Sequence, residues 1–176
     1  MEKKHEDIQH VLKHFYRVPV ETVMHKDVWN LPIADENTPI EHIFSIMTAR
    51  RHVWITDKKG STKLKGIITE KDLLEIMMPH KIKPYMIGGY SLNSLILGNV
   101  ATAKDVMVKK VISCHPNDSI EDVLEKMRSF QIRRLPVVDK SGNLVGELTI
   151  KTVIIQFRKI LNWYRITKNE NSQSKP

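Results

Sequence analysis

A chain of 176 residues with one cysteine, few aromatic side chains and no long apolar run lacks the raw material of several protein classes. The lone thiol, Cys114, cannot close an internal disulfide, and no CxxC partner points to structural zinc or dithiol chemistry. Cys114 reads as a small apolar strand residue, buried and inert. No stretch approaches the roughly 20 apolar residues that a membrane helix needs. The opening Met1-Glu2-Lys3-Lys4-His5-Glu6-Asp7 runs into an amphipathic pattern, not a signal-peptide core. The expectation is a cytoplasmic protein without a membrane partner. Nucleophile-elbow, Walker-loop and HExxH sequences are missing as well, so catalysis has no positive support and the chain reads as no enzyme.

What is present is a moderately apolar, basic chain. A hydrophobic fraction of 41% allows a real core, in one unit or in two small halves. A net charge of +8 favours an anionic partner of some kind. The lysines are scattered, and no RGG, zinc-finger or RNP-like sequence accompanies them, so a solvated surface is the better reading and nucleic-acid binding the weakest. His10 and His14 lie one helical turn apart with His5 nearby. No acidic or cysteine ligand completes a metal set, and they read as a solvated helix face.

Two segments repeat the same order of signals. The first opens at Val20-Glu21-Thr22-Val23-Met24 and the second at Ala103-Lys104-Asp105-Val106-Met107, with the methionines 83 residues apart. A short apolar strand follows each opening, Val28-Trp29-Asn30-Leu31 or Val111-Ile112-Ser113-Cys114. Helix starts come next: Thr38-Pro39-Ile40-Glu41, with Thr38 as N-cap, and Asp118-Ser119-Ile120-Glu121, with Asp118 as cap. Ile40, Ile43, Phe44 and Met47 match Ile120, Val123, Leu124 and Met127 at i, i+3, i+4, i+7 spacing, which predicts one buried face per helix. Each unit continues as a strand ending in Asp57 or Asp139, a glycine-containing turn, and a second strand. A further helix over 69–77 or 149–157 closes it, giving β-α-β-β-α twice.

Outside the repeat, Ile8, Val11, Leu12 and Phe15 predict an N-terminal amphipathic helix, and Phe157, Ile160, Leu161 and Tyr164 extend the last helix. These helices pack on the module or on a second copy of it, so a homodimer is expected. The boundaries read as an N-terminal helix over 1–17, half-domains over 18–78 and 101–158, an ordered connector over 79–100 with a helical turn at Leu92 to Leu97, and a tail over 159–176 that is disordered from Lys168.

The run Gly66-Ile67-Ile68-Thr69-Glu70-Lys71-Asp72 resembles the signature of CBS domains, named after cystathionine β-synthase. Its second copy is Gly146-Glu147-Leu148-Thr149-Ile150-Lys151-Thr152, after Arg134-Leu135-Pro136-Val137-Val138-Asp139. The resemblance covers roughly residues 18 to 158. It implies an α/β fold: two β-α-β-β-α half-domains packed by pseudo-twofold symmetry, with flanking helices. It further implies a regulatory, non-catalytic module whose cleft binds AMP, ADP, ATP or an S-adenosylmethionine-like compound, requires no cofactor, and signals to a regulated protein.

In the family the terminal aspartate bonds the ribose hydroxyls, the Ser/Thr three residues earlier lies near phosphate, and the hairpin strand lines the base pocket. Residue by residue, the resemblance assigns Asp72, Thr69 and the strand Val53, Trp54 and Ile55 to those roles. A carboxylate suits a ribose diol, and a helix N-terminus offers free N–H groups to an anion. Thr69 and Asp72 also have the spacing of a plain capping box, so capping alone and capping with ligand binding both stand. The second copy keeps Thr149 but carries Thr152 in place of the aspartate, which predicts a weaker or empty site. Arg133, Arg134 and Lys151 fall where nucleotide-binding members, such as the gamma subunit of AMP-activated protein kinase, carry basic residues against phosphate. Arg51 and His52 are their counterparts in the first repeat. Trp54 stands where the second repeat has Pro136, able to stack on adenine or to plug the pocket. A ligand-free module that mediates dimerisation or docking is the alternative function.

Overall fold

The computed structural model describes residues 2–78 and 100–173. In chain order it contains α1 (Glu2–Tyr16), β1 (Ile33–Asp35), α2 (Ile40–Met47), β2 (His52–Thr56), β3 (Leu64–Thr69), α3 (Glu70–Met77), α4 (Ile120–Ser129), β4 (Arg134–Val138), β5 (Leu144–Thr149) and α5 (Ile150–Gln173). Single 3-10 turns occur at Val20–Thr22, Val28–Asn30 and Ala103–Asp105. The connector, including the helical turn expected at Leu92 to Leu97, lies outside the described residues. No helix among the described residues is long and apolar enough to cross a membrane.

β2 and β3 form an antiparallel hairpin whose turn uses Gly60 at φ +78°, a left-handed conformation that glycine adopts without a Cβ clash. β1 runs parallel to β2 on its other edge, with Ile33 opposite Trp54. β4 and β5 make the matching hairpin, its turn at Gly142 with φ +79°. There the third strand shrinks to one parallel bridge between Cys114 and Val137.

The chain divides into two compact units, and each takes its pieces from both repeats. One contains residues 1–28, 112–140 and 145–176, the other residues 29–111 and 141–144. In the first unit, the opening of repeat one completes the core of repeat two. Val20 and Val23 are buried with Ile120, Val123, Leu135 and Leu148. The Val20 N–H donates to Asp118 O at 2.9 Å, and His25 and Glu147 exchange two backbone bonds at 2.8 and 3.1 Å. In the second unit the pattern recurs with the roles reversed. Ala103 and Met107 are buried with Ile40, Ile43, Val53 and Ile68. The Ala103 N–H donates to Thr38 O at 2.9 Å, and Val108 and Ile67 exchange bonds at 2.9 and 3.1 Å. A glycine stands at each crossing: a Cβ on Gly146 would lie 2.6 Å from His25 O, and one on Gly66 would lie 2.7 Å from Met107 Sδ.

The first unit also holds the flanking helices. Val11 and Phe15 of α1 are buried, and Phe15 meets Phe157 of α5 with ring centroids 5.2 Å apart. His10 and His14 stack edge to face at 4.8 Å, with Tyr164 at 6.1 Å from His10.

Five local expectations need correction. Residues 28–31 form a turn with Trp29 exposed, and the strand lies at 33–35, where the edge of β2 offers hydrogen bonds. Of residues 111–114, only Cys114 reaches the edge of β4. Thr38 does not cap α2; its hydroxyl donates to Asp35 Oδ2 at 3.1 Å, and α2 begins after an extended Pro39. Asp118 does not cap α4 either, because Lys126 holds it in a 2.9 Å ion pair. Ser119 caps instead, in a full capping box with Asp122. The Ser119 hydroxyl, aided by its backbone N–H, keeps the Asp122 carboxyl below its ordinary value. The cap's contribution is therefore present at neutral pH and lost as pH falls through that lowered value. Lastly, α5 continues through Gln173, past Lys168, where the sequence reads as a disordered tail.

Gly146→Ala drives a Cβ into backbone, whereas Gly66→Ala meets a flexible methionine. Urea unfolding should show Gly146→Ala destabilised by about 1–3 kcal/mol and Gly66→Ala by less.

Candidate functional site

β3 ends in Thr69, and the extended backbone there makes Thr69 the N-cap of α3. Asp72 Oδ2 accepts from the Thr69 N–H and from the Thr69 hydroxyl, both at 2.7 Å. Two residues that could face a ribose and a phosphate are thus already joined. Among the described residues Asp72 Oδ1 takes no further bond, so the carboxylate keeps acceptor capacity at the helix N-terminus, where N–H groups favour an anion.

The register places His52 directly opposite Thr69 across the hairpin. Strand alternation then divides β2. Val53 and Ile55 enter the apolar core with Ile40, Ile43 and Ile68. His52, Trp54 and Thr56 share the other face and are also buried. The strand expected to line a base pocket with three consecutive side chains therefore offers only Trp54 on the face of His52. Trp54 is 1% exposed and stands edge-on to the His52 ring at 4.9 Å. Arg51 is exposed.

The second signature is built differently. Thr149 and Thr152 join hydroxyl to hydroxyl at 2.7 Å, and the Thr152 N–H donates to Thr149 Oγ1 at 3.1 Å. The cap survives without a carboxylate. Arg133 and Lys151 are exposed, and Arg133 O accepts from the Ile150 N–H at 2.9 Å, which sets Arg133 at the start of α5. Arg134 is committed elsewhere: its guanidinium pairs with Glu147 at 3.1 Å, Glu147 being nearly buried. Thr69 and Asp72 belong to one compact unit; Arg133, Arg134, Thr149 and Lys151 belong to the other.

Glu147 was missed in the sequence. The available signal was an acid in the middle of an apolar strand, at the position where the first repeat has Ile67. Cys114 has no place in a site: its Sγ lies 3.7 Å from Pro136 O, and burial pushes the thiol up to about 12.

The family model of the CBS domain matches residues 20–79 and 103–158. The chain is 31% identical over 134 residues to the inosine-5'-monophosphate dehydrogenase of Thermoplasma acidophilum, a match covering 76% of this chain and 22% of that enzyme. The chain thus spans about a fifth of that relative's length. Among solved structures it resembles CBSX2 of Arabidopsis thaliana in complex with AMP, at TM-score 0.65 and 22% identity over 81% of this chain and 97% of that one. It also resembles a CBS domain pair in complex with 5'-methylthioadenosine and S-adenosyl-L-methionine, at TM-score 0.57 and 24% identity over 81% of this chain and 97% of that one.

Two outcomes follow. Arg134→Ala removes the guanidinium paired with the buried Glu147 and should cost about 2 kcal/mol, a figure discounted for the partly exposed arginine; adding Glu147→Ile should recover most of it in urea unfolding. Cys114 should resist thiol reagents in the native protein. Its raised value makes a stability contribution that is full below pH 9 and is lost as pH rises from 9 towards 12, and Cys114→Ala should lack that alkaline loss.

Proposed function

This chain belongs to the CBS-domain family, with two copies of the domain in tandem, and we propose that it is a regulatory module that binds one adenosine-containing ligand at the first signature. The observation that carries this reading is the Thr69–Asp72 pair at the N-terminus of α3. A carboxylate oxygen free to accept from a ribose diol stands beside helix N–H groups suited to phosphate or another anion. The related pairs whose structures hold AMP, or 5'-methylthioadenosine with S-adenosyl-L-methionine, support the ligand class.

In this reading Thr69 and Asp72 hold the ribose and the anionic group. The second signature contributes little, because Thr152 cannot accept as a carboxylate does and Arg134 is engaged by Glu147. Binding shifts the balance between two arrangements of the module and so changes the surface offered to a regulated protein, which requires different affinities for the two arrangements. The module acts as a homodimer, without catalysis and without a required cofactor, in the cytoplasm.

One observation favours a second reading. Trp54 is buried against His52, which suits a filled base pocket and hence a ligand-free module that mediates dimerisation or docking.

Titration with AMP, ADP, ATP and S-adenosylmethionine, followed by melting temperature, separates the two. Ligand binding should raise stability by about 2.7 kcal/mol at a hundredfold excess over Kd. Asp72→Ala should abolish that gain at an intrinsic cap cost of about 1 kcal/mol, and Thr152→Asp should add a second binding event. No response to any of the four compounds would leave the ligand-free reading.

A further inference from the structure

We propose that Trp29 supplies the stacking surface for the base of the ligand held at Thr69 and Asp72, an inference that rests on the adenosine-binding reading above. Tryptophan is highly buried on average, yet Trp29 is 88% exposed and belongs to neither apolar core. One exposed indole by itself marks nothing; its place at the end of the sheet gives it meaning.

The hydrogen-bond register fixes that place. Thr69 ends β3 opposite His52, the first residue of β2. β1 runs parallel to β2 with Ile33 opposite Trp54, and the Trp54 N–H donates to Pro32 O at 2.8 Å. The start of β1, the start of β2 and the end of β3 therefore share one end of the three-stranded sheet, and α3 begins there. Trp29 sits in the single turn Val28–Asn30 that leads into β1. It belongs to the same compact unit as His52, Thr69 and Asp72. Two strand spacings, about 9.6 Å, separate β1 from β3. A nucleoside whose ribose is held by Asp72 at the β3 side crosses the His52 position and brings its base to the β1 side. Trp54 cannot serve there as it stands, being 1% exposed and edge-on to His52.

The two repeats differ in the same sense at both positions. Where the first repeat has Trp29, the second has Ile112, which packs against the core of its unit. Where the first has Asp72, the second has Thr152. The open aromatic face and the carboxylate thus occur in one repeat and are both missing from the other. An indole face suits a purine, since its π-surface stacks on a base without needing a matched hydrogen bond.

The test measures binding of AMP, ADP, ATP and S-adenosylmethionine to the full chain by calorimetry. For whichever compound binds, Trp29→Ala should weaken affinity about tenfold or more, and Trp29→Phe, which keeps an aromatic face, should hold it within about threefold. The melting temperature of the free protein should be unchanged in both variants. In the Trp163→Phe protein, Trp29 is exposed and Trp54 is buried, so the bound compound should quench the long-wavelength emission and shield it from iodide. The proposal is overturned if Trp29→Ala binds as tightly as the wild type while Asp72→Ala does not bind, or if Trp29→Ala and Trp29→Phe weaken binding equally. It is also overturned if the compound alters Trp54 emission and leaves Trp29 open to iodide. If none of the four compounds binds, the adenosine reading itself fails, and this inference with it.

Discussion

The rest of the structure depends on a reciprocal exchange of opening segments. Val20 and Ala103 are completely buried, and each is buried among residues of the other repeat. A sheet of two or three short strands with two helices has too little apolar surface to close a core alone. The turn around residue 20 or 103 supplies the missing piece, together with a pair of two-way backbone bonds. Gly66 and Gly146 permit the approach, since any side chain there would occupy the space of the incoming segment. Neither repeat is therefore a self-sufficient folding unit, although each reads as one along the chain.

The same scaffold carries two different polar devices. In the first repeat Thr69 and Asp72 close a capping box that leaves one carboxylate oxygen available. In the second, two hydroxyls close the cap, and the nearby charge is spent on the Arg134–Glu147 pair. Retaining the cap in both repeats preserves the helix start, while the charges beside it have diverged. An acid at Glu147 in place of an isoleucine forces Arg134 to serve structure, because an ionised carboxylate out of water needs a partner.

Much of this was legible residue by residue. The buried faces Ile40–Ile43 and Ile120–Val123, the Thr69 cap and the glycine turns are local features, set by helical period, spacing and backbone freedom. The misses are equally specific. Apolar residues at 28–31 resembled a strand, yet the strand formed at 33–35, because a strand exists only where another edge accepts its bonds. Thr38 and Asp118 had the chemistry of caps but were drawn to Asp35 and Lys126, partners that sequence spacing alone does not rank.

The sequence by itself determined the repeat, the order β-α-β-β-α, the two signature caps and their chemical inequality, since each rests on residues within a few positions of one another. Only the tertiary structure decided which repeat's opening completes which core. It also decided that Val53 and Ile55 serve the core while Trp54 lies buried beside His52, and that Arg134 belongs to Glu147. Those outcomes depend on contacts between residues far apart in the chain, where burial and pairing are settled by what the folded neighbours leave unsatisfied.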